Sequence, residues 1–423
     1  MRIAEPLTLP CGHVVKNRIA KAAMSEGLAT LEGAPTDDLV RLYRRFAEGG
    51  AGMVITGNVV VDARYLERPG NVIVEDDTHL EALRRMAAAA NEHGALSVVQ
   101  VNHPGRQTNR FVHGHPVAPS EGAAVKVLQS FAPPRALTGP EVLDVIARFV
   151  RTALVLERAG FGGVQIHAAH GYLLSQFLSP LTNRRTDEWG GALAGRAKVL
   201  LEIVRQVRAR VAKDFVVGVK VNSADFQRGG FDDGEAMELL QMLSREGVDF
   251  VEISGGNYES PALLFGGADG ASERTVAREA YFLEFAERAR KITDVPLMVT
   301  GGFRTLAGMN AAVESGAAAL VGLARPLALD PALPARLLRG ECTRIDVPRP
   351  FSGKKPWHSL AESAFYGAQL ARLGAGQSPD LRASYILSMV VQVVGDVIRA
   401  LARRAYGIGR DLPEHRRLVE GAT

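Results

Sequence analysis

The stretch that decides the fold of this chain covers residues 163–191 and reads GVQIHAAHGYLLSQFLSPLTNRRTDEWGG. It opens with a short apolar run at residues 163–166, which predicts a buried strand. His167, His170 and Tyr172 come directly after this strand, and a long polar segment follows them. Core packing gives no reason for two imidazoles and a phenol at the end of a strand. A site that holds an anionic oxygen and then delivers a proton to a neighbouring carbon needs such groups.

Two plainer interpretations of the histidines stay open at this point. A histidine beside a strand is usually a hydrogen-bonded structural residue. The His-x-x-His spacing of His167 and His170 is also half of a metal site. Zinc normally takes at least three protein ligands, and no cysteine group or HExxH helix supplies the others here. We therefore predict no metal.

Short apolar runs alternate with helical patterns along the chain, which predicts βα units and a parallel sheet. The predicted strands lie at residues 18–22, 52–56, 96–101, 163–166, 216–221, 248–253, 297–300 and 319–322. The predicted helices lie at about residues 37–48, 78–93, 140–159, 193–211, 233–245, 280–291, 306–314 and 331–339. Eight such repeats predict a (β/α)8 TIM barrel of the α/β class. An open doubly wound sheet would require a Gly-x-Gly-x-x-Gly turn after the first strand, and that turn is missing.

Two segments flank the predicted barrel. Residues 7–15 read as an N-terminal hairpin that could close the lower mouth of the barrel, and residues 360–373 and 381–406 read as two further helices. We therefore expect a (β/α)8 barrel domain over residues 1–345 and a C-terminal helical extension over residues 346–423.

The second helix of the extension carries an apolar stripe at helical spacing. Its members are Tyr385, Ile386, Met389, Val390, Val393, Val394, Val397 and Leu401. A membrane span is one interpretation, but Asp396, Arg399, Arg403 and Arg404 interrupt or flank the stripe. The uncharged stretch is shorter than the ~20 residues that a span needs. The sequence therefore favours packing of this helix on the barrel or on a second subunit. In the second case the protein would be a homo-oligomer.

Composition limits the choice of partner and compartment. The formal charge of +4 comes from 50 basic and 46 acidic side chains, so it is weak evidence for nucleic-acid binding. Cys11 and Cys342 are too few for a disulfide framework or an iron–sulfur cluster. Residues 1–10 contain no long apolar run of the kind found in a secretory signal. We expect a cytoplasmic protein that acts on small molecules and binds neither nucleic acid nor membrane.

Active sites of (β/α)8 barrels lie at the carboxyl ends of the strands. Ala22 and Ala23 follow the first predicted strand, with Met24 and Ser25 after them, and Gly57 follows the second. Small residues at these places permit the backbone to approach a flat ring, and Ser25 could donate a hydrogen bond to that ring. An ordinary tight turn is the plainer interpretation.

The last two predicted strands end in Gly301-Gly302 and Ala324-Arg325. Consecutive small residues expose backbone N–H groups, and the partial positive charge of a helix N-terminus favours an anion. The guanidinium of Arg325 offers a fork of donors that matches phosphate oxygens. The sequence therefore predicts a phosphate site where this fold often has one.

Two motifs of the opening stretch, HAAHGYL at residues 167–173 and SPLTNRRTDEWGG at residues 179–191, resemble the Old Yellow Enzyme family of FMN-dependent NAD(P)H oxidoreductases. The resemblance covers about residues 1–340. It implies FMN as the cofactor and NADH or NADPH as the reductant. The missing cysteine group implies the single-domain type, without the iron–sulfur and second flavin domains of larger relatives.

The resemblance also implies roles for individual residues. His167 and His170 would hydrogen-bond the carbonyl oxygen of the substrate, and Tyr172 would donate the proton. The residues that it places at FMN are Ala22, Ala23, Met24, Ser25, Gly57, Gln100, Lys220, Gly301, Gly302, Ala324 and Arg325. Two further loop segments have no single predicted role. Tyr258 could line the substrate pocket or cap the core, and residues 266–270 could act as a lid.

Gln100 and Lys220 have chemistry of their own. An amide both donates and accepts, which suits the pyrimidine edge of a flavin. Lys220 could neutralise the N1/O2 region of reduced flavin, form a Schiff base, or pair with an acid such as Asp225 or Glu252. Many Old Yellow Enzymes have arginine at the place of Lys220; lysine keeps the charge but loses the bidentate fork.

These observations predict an enzyme that passes hydride from reduced flavin N5 to an electron-poor acceptor such as an α,β-unsaturated carbonyl, with proton donation by Tyr172. Two alternatives remain. One is a Schiff-base aldolase that uses Lys220 on a phosphorylated substrate. The other is a non-catalytic, flavin-binding redox sensor.

Overall fold

A computed structural model describes residues 1–126, 130–255, 282–348 and 357–409. Eight parallel strands form a closed barrel, because each strand pairs with its neighbours in sequence and the last pairs with the first. The strands are β1 (Ile19–Lys21), β2 (Met53–Ile55), β3 (Leu96–Asn102), β4 (Gly163–Ala168), β5 (Val216–Asn222), β6 (Phe250–Ser254), β7 (Leu297–Thr300) and β8 (Leu320–Leu323). The predicted fold class and all eight predicted strands are confirmed.

Helices surround the barrel. They are α1 (Asp37–Glu48), α2 (Leu80–Ala90), α3 (Gly139–Arg158), α4 (Leu173–Leu178), α5 (Leu193–Arg208), α6 (Asp233–Arg245), α7 (Leu283–Ala289), α8 (Leu306–Glu314), α9 (Arg325–Leu329), α10 (Leu333–Leu338), α11 (Trp357–Gly374) and α12 (Tyr385–Ala405). The predicted bounds of α1, α6 and α8 are confirmed to the residue. Tyr258 and residues 266–270, for which roles were predicted above, lie outside the described part of the chain.

The segment after β8 contains one helix more than was predicted. The helix predicted at residues 331–339 is α10, and an additional short helix, α9, precedes it; residues 330–332 separate the two, and the backbone of Asp330 is extended. Pro326 and Pro334 each occupy the first turn of one of these helices. Proline is favoured at a helix start and breaks a helix interior, so each proline begins a new helix.

A second difference lies inside the stretch that decides the fold. The part after Tyr172 was predicted as a polar segment, yet residues 173–178 form helix α4, and all six are buried. Four of the six are apolar, and the amide of Gln176 donates to the carbonyl oxygens of Pro104 and Gly171 at 3.1 and 2.7 Å. Helix α4 therefore holds the turn that carries His170 against the loop after β3.

The predicted N-terminal hairpin is present. Leu7–Thr8 pairs antiparallel with Val14–Val15. Leu9 and Val15 are buried in one apolar cluster with inward residues of the barrel strands, among them Leu96. Leu96 is the first residue of β3, so the hairpin closes the amino-terminal end of the barrel. The opposite end remains available for a site.

The two predicted helices of the extension are α11 and α12. Helix α12 turns its polar side toward the barrel: Asp396 lies 3.3 Å from Arg68, and Arg399 donates to the carbonyl oxygen of Ala29 at 3.0 Å. Its other side exposes apolar side chains, including Leu387 and Val391. Among the described residues, α12 is the one helix that is long and apolar enough to cross a membrane. Of the 18 consecutive residues of α12 that meet this test, 6% are buried.

Candidate active site

A pocket of about 90 Å³ opens at the carboxyl ends of the strands. The residues that line it are Ala23, Met24, Ser25, Asn58, Gln100, His167, His170, Tyr172 and Lys220. Eight of these nine were predicted as site residues from the sequence. Asn58 was missed; it follows the predicted site residue Gly57 directly, but no pattern in the sequence distinguished it.

His167 is the fifth residue of β4, and its side chain is buried. The backbone N–H of Ala169 donates to Nδ1 of His167 at 3.2 Å. Because Nδ1 accepts, the ring proton is on Nε2, which makes Nε2 a donor. Burial first, and then the electrostatic interaction with the His170 ring and with the ammonium group of Lys220, hold the pKa of His167 well below its usual value. The imidazole is therefore neutral and donates one hydrogen bond.

His170 stands in a left-handed backbone conformation with φ of 60°. This conformation is uncommon for a residue other than glycine and is kept only where its surroundings fix it. The backbone N–H of His170 donates to Oδ1 of Asn222 at 3.2 Å, and its ring Nε2 lies 2.8 Å from the Ser254 hydroxyl. Burial and the charge of Lys220 lower the pKa of His170 well below its usual value.

Asn222 and Ser254 were not predicted as site residues. They are the last residues of β5 and β6, so they follow the rule that polar groups at strand ends converge. That position was the only signal in the sequence that could have identified them. Together they fix the orientation of His170.

The rings of the predicted catalytic residues pack edge to face. The centroids of His167 and His170 lie 5.1 Å apart at an interplanar angle of 80°, and those of His167 and Tyr172 lie 4.9 Å apart at 78°. The Tyr172 side chain is buried. The three groups therefore form one cluster on one side of the pocket.

The Tyr172 hydroxyl is hydrogen-bonded to the carboxyl group of Glu67, another residue that the sequence did not reveal. Both carboxyl oxygens of Glu67 lie 3.1 Å from the Ser25 hydroxyl, and the side-chain amide of Asn58 donates to Oε2 of Glu67. Burial is the main influence on Glu67 and raises its pKa. An acid is thus placed beside the predicted proton donor.

A row of interacting side chains from adjacent strands joins Gln100 to Lys220, both of which line the pocket. Nε2 of Gln100 donates to Gln165 at 2.6 Å, and Nε2 of Gln165 donates to Glu252 at 2.7 Å. Oε1 of Glu252 lies 2.9 Å from Nζ of Lys220. Of the two acids suggested for Lys220, the structure shows Glu252; Asp225 instead accepts from the side chain of Asn222 at 3.2 Å.

Gly57 and Ala22 do not line the pocket. The N–H of Gly57 donates to Glu26 at 2.9 Å, and a Cβ added to Gly57 would lie 2.3 Å from the Met24 carbonyl oxygen. Its lack of a side chain serves close packing of the loops after β1 and β2. Ala22 is buried among the apolar residues inside the barrel, and its N–H donates to the carbonyl oxygen of Leu323 at 2.8 Å.

The predicted phosphate residues lie at the ends of β7 and β8. Gly301 and Gly302 have φ of 104° and 91°, a left-handed conformation that glycine adopts readily. Arg325 begins α9, and its side chain is 37% exposed, so its donors remain accessible. One donor lies 3.2 Å from the carboxyl group of Glu362 in α11, an acid that the sequence did not place here.

These groups fit FMN by the chemistry of their donors and acceptors. The pocket offers the amide of Gln100 and the ammonium group of Lys220, and the end of β8 offers the guanidinium of Arg325. The buried hydroxyl of Thr300, at the end of β7, has no hydrogen-bond partner among the described residues. A planar ring with polar edges and a phosphate tail would satisfy this set.

Comparisons with known proteins agree with the site. The model of the NADH:flavin oxidoreductase / NADH oxidase family matches residues 2–343. The chain is 41% identical over 355 residues to the NADH-dependent flavin oxidoreductase iliE of Hypocrea jecorina (strain QM6a), which covers 79% of this chain and 88% of that relative. It is 30% identical over 358 residues to the 4,4'-dithiodibutanoate disulfide reductase of Rhodococcus erythropolis, covering 78% and 85% of the two chains.

A solved structure of the old yellow enzyme homologue from Zymomonas mobilis matches with a TM-score of 0.69 and 26% identity, over 85% of this chain and 98% of that one. The barrel, the pocket and these matches define a flavin-dependent oxidoreductase. The chain belongs to the NADH:flavin oxidoreductase / NADH oxidase family, and the resemblance to the Old Yellow Enzymes is confirmed. Its cofactor is FMN and its reductant is a reduced nicotinamide, NADH or NADPH.

Proposed function

We propose that this enzyme reduces an electron-poor small molecule, such as an α,β-unsaturated carbonyl, at the expense of NADH or NADPH. The observation that carries the proposal is the convergence of His167, His170 and Tyr172 in the pocket that Lys220 also lines. When bound, FMN supplies the redox chemistry: it accepts hydride from the nicotinamide and passes hydride to the β carbon of the acceptor.

In this proposal His167 and His170 hold the carbonyl oxygen of the acceptor. The Nε2–H of His167 is one donor. We assign the Ser254 hydroxyl, 2.8 Å away, as the donor to Nε2 of His170, which leaves the Nδ1–H of His170 as the second donor. Both rings are neutral, so they polarise the carbonyl without giving it a full proton. Donors that are fixed before the reaction contribute about 3 kcal/mol each to the transition state in comparable sites.

Tyr172 then gives its hydroxyl proton to the α carbon of the acceptor. A phenol is a weak acid in water, but it transfers a proton well when it is held close to a carbon that is gaining negative charge. The edge-to-face packing of Tyr172 on His167 supports this role, because it fixes the hydroxyl near the groups that hold the oxygen.

For FMN itself, we propose that Gln100 and Lys220 hold the pyrimidine edge and that Arg325, with the turns at Gly301-Gly302 and Ala324, holds the phosphate. Ala23, Met24 and Ser25 would contact the ring from the first loop. The carboxylate of Glu252 partly neutralises the charge of Lys220 and fixes the position of its ammonium group.

The two other candidate functions have less support. A Schiff-base aldolase needs a free amine, whereas Lys220 is paired with a buried carboxylate. A redox sensor would bind flavin and turn nothing over. The acceptor class is a separate question: the similar protein from Rhodococcus erythropolis is named a disulfide reductase, so disulfides belong in the test beside enones.

The test is acceptor-dependent oxidation of NADH by the purified, FMN-loaded protein. We expect 2-cyclohexenone or a maleimide to accelerate NADH oxidation and Tyr172→Phe to slow the step with the enone. A protein that stays colourless with added FMN would overturn the cofactor assignment. A yellow protein that oxidises no NADH with enone, maleimide or disulfide would establish the sensor instead.

We further propose that the extension, residues 346–423, serves assembly, that the barrel domain spans residues 1–345, and that the protein is cytoplasmic. The outward stripe of α12 consists of Leu387, Val391, Val394, Ile398 and Leu401, each at least 51% exposed. Their spacing alternates four and three residues, which is the period of a seam between two packed helices.

A second copy of this chain is the occupant that fits the stripe best. The opposite face of α12 is held to the barrel by an ion pair of Asp396 and by hydrogen bonds of Arg399 and Arg403. Helix α12 could not cross a membrane without breaking these interactions. Two identical apolar stripes facing each other across a twofold axis would cover both. The mass of the protein in solution tests this proposal.

A further inference from the structure

Among the described residues beside the pocket, Glu67 is a titratable group to which the proposed reaction assigns no role. It follows β2 on the segment that also carries Asn58, and its side chain points to the loop after β1. Its carboxyl group accepts from the Ser25 hydroxyl at 3.1 Å and from the amide of Asn58, and it is hydrogen-bonded to Tyr172. Ser25, Asn58 and Tyr172 all line the pocket.

We propose that Glu67 is the proton reservoir of Tyr172: its protonated carboxyl group returns a proton to Tyr172 after Tyr172 has protonated the acceptor. The inference rests on the proposed role of Tyr172 as proton donor. Glu67 does not touch the acceptor in this scheme; it acts through Tyr172 and is a positioning and relay residue.

The proton balance of the relay is simple. The O–H bond of Tyr172 breaks and a C–H bond forms at the α carbon of the acceptor. The carboxyl O–H of Glu67 then breaks and the O–H bond of Tyr172 forms again, which leaves Glu67 as a carboxylate. Water returns one proton to Glu67 before the next turnover, and no electrons move in these steps.

The protonation state of Glu67 decides whether Tyr172 can act. An ionised Glu67 would hold the Tyr172 proton in a charge-assisted hydrogen bond and away from the acceptor. Proton donation would then leave two anions in contact, which a buried site disfavours strongly. A protonated Glu67 instead donates to the Tyr172 oxygen, frees the phenolic proton for the acceptor and stabilises the phenolate that forms.

The surroundings of Glu67 keep the protonated form accessible. Burial raises its pKa, and the hydrogen bonds from Asn58, Ser25 and Tyr172 and the charge of Arg68 only partly oppose that effect. Arg68 is the charged group that faces Glu67, and its guanidinium is paired at 3.3 Å with Asp396 of α12. Ser25 and Asn58, which also donate to the carboxyl group, are neutral side chains.

The decisive variant is Glu67→Gln, which keeps the shape and the hydrogen-bonding capacity of the side chain but carries no transferable proton. Wild type and variant are loaded with FMN, reduced with NADH, and mixed with 2-cyclohexenone in a stopped-flow instrument across a pH series. We expect flavin reduction by NADH to change less than about twofold. We expect reoxidation by the enone to slow about tenfold or more, a loss typical of removing proton-transfer assistance.

The pH profile separates a relay from a merely structural role. Reoxidation of wild type is expected to fall as pH rises through the pKa of Glu67, and the Glu67→Gln profile is expected to be flat there. The double variant Tyr172→Phe/Glu67→Gln should be no slower than Tyr172→Phe alone, because the two residues act in one path. A quinone acceptor, whose oxygens take protons from water, should be reduced at the same rate by wild type and Glu67→Gln.

A readout that needs no turnover is the infrared carbonyl band of a protonated carboxyl group. We expect wild type to show such a band, titrating with pH, that Glu67→Gln lacks. If Glu67→Gln does not fold, Glu67→Asp keeps the proton at shorter reach and should retain the pH dependence with slower reoxidation.

The outcomes are distinct. If Tyr172→Phe does not slow reoxidation by the enone, the proton-donor role in the proposed function fails. If Tyr172→Phe slows reoxidation but Glu67→Gln changes neither its rate nor its pH profile, the role of Glu67 as proton reservoir fails and the proposed function stands. The same conclusion follows if the double variant is slower than Tyr172→Phe by the factor that Glu67→Gln causes alone.

Discussion

Nζ of Lys220 lies 2.9 Å from Oε1 of Glu252, and the two residues are register partners on β5 and β6. Both side chains are almost wholly buried, with exposures of 5% and 0%. Glu252 also accepts from Gln165, which in turn accepts from Gln100. The positive charge offered to a flavin is therefore part of a fixed row of side chains and depends on its acidic partner.

Removing one member of this pair should cost more than removing both. Lys220→Met leaves the Glu252 carboxylate buried without a counter-charge, so we expect a loss of about 3 kcal/mol in the free energy of unfolding of the FMN-free protein. Lys220→Met/Glu252→Gln should recover most of that loss. Urea unfolding of the three proteins measures it, with Lys220→Arg as the control that keeps the charge. Equal stability of the single and double variants would contradict the pairing.

His103 predicts a pH dependence of stability. It is 1% exposed, and its Nδ1 accepts from the N–H of Gly105 at 3.0 Å. Burial lowers its pKa from 6.5 to about 4, although the nearby Asp62 opposes the shift. Between those pH values the unfolded chain binds a proton that the folded protein does not, so His103 favours unfolding as the pH falls.

The size of the His103 effect follows from its pKa. At about pH 4 the loss in the free energy of unfolding caused by His103 amounts to about 3 kcal/mol relative to neutral pH, at 1.36 kcal/mol for each pKa unit. His103→Asn should lose less stability than wild type between pH 6.5 and 4, with the two curves parallel above pH 7. Comparison of the variants is needed because Glu67, Glu75 and Asp225 have raised pKa values, which act in the opposite direction. Curves that stay parallel throughout would show that His103 titrates normally.

The sequence predicted what depends on local patterns. The eight barrel strands are apolar runs bounded by turn residues, and His167, His170 and Tyr172 belong to one contiguous motif, so both could be located without knowing the fold. Glu67 could not, because its place beside Tyr172 results from the contact between the segment after β2 and the turn after β4, which are more than one hundred residues apart in the chain. Glu362 reaches Arg325 from the extension, more than thirty residues further along the chain.

Helix α12 predicts a concentration-dependent assembly. We expect light scattering to give the mass of a dimer for wild type and of a monomer for Leu387→Asp/Ile398→Asp, because the two charges would face the identical apolar stripe. Leu143→Asp is the matched control, since Leu143 is an equally exposed leucine on α3, and it should remain dimeric. A monomeric wild type, or a wild type that pellets with phospholipid vesicles while Leu387→Asp/Ile398→Asp does not, would contradict the assignment of a second copy.

Glu362 predicts an effect on FMN that riboflavin would not share. Its carboxyl group lies 3.2 Å from a donor of Arg325, where the proposed phosphate of FMN would also bind, so acid and phosphate compete for one guanidinium. Because Arg325 is partly exposed, solvent screening keeps the effect small. We expect Glu362→Gln to bind FMN about threefold to tenfold more tightly, Arg325→Ala to bind it at least tenfold more weakly, and neither change to alter riboflavin affinity beyond about twofold. Fluorescence titration of the flavin-free protein with each ligand measures both affinities. If Glu362→Gln shifted FMN and riboflavin equally, the effect would lie at the ring and the phosphate would bind elsewhere.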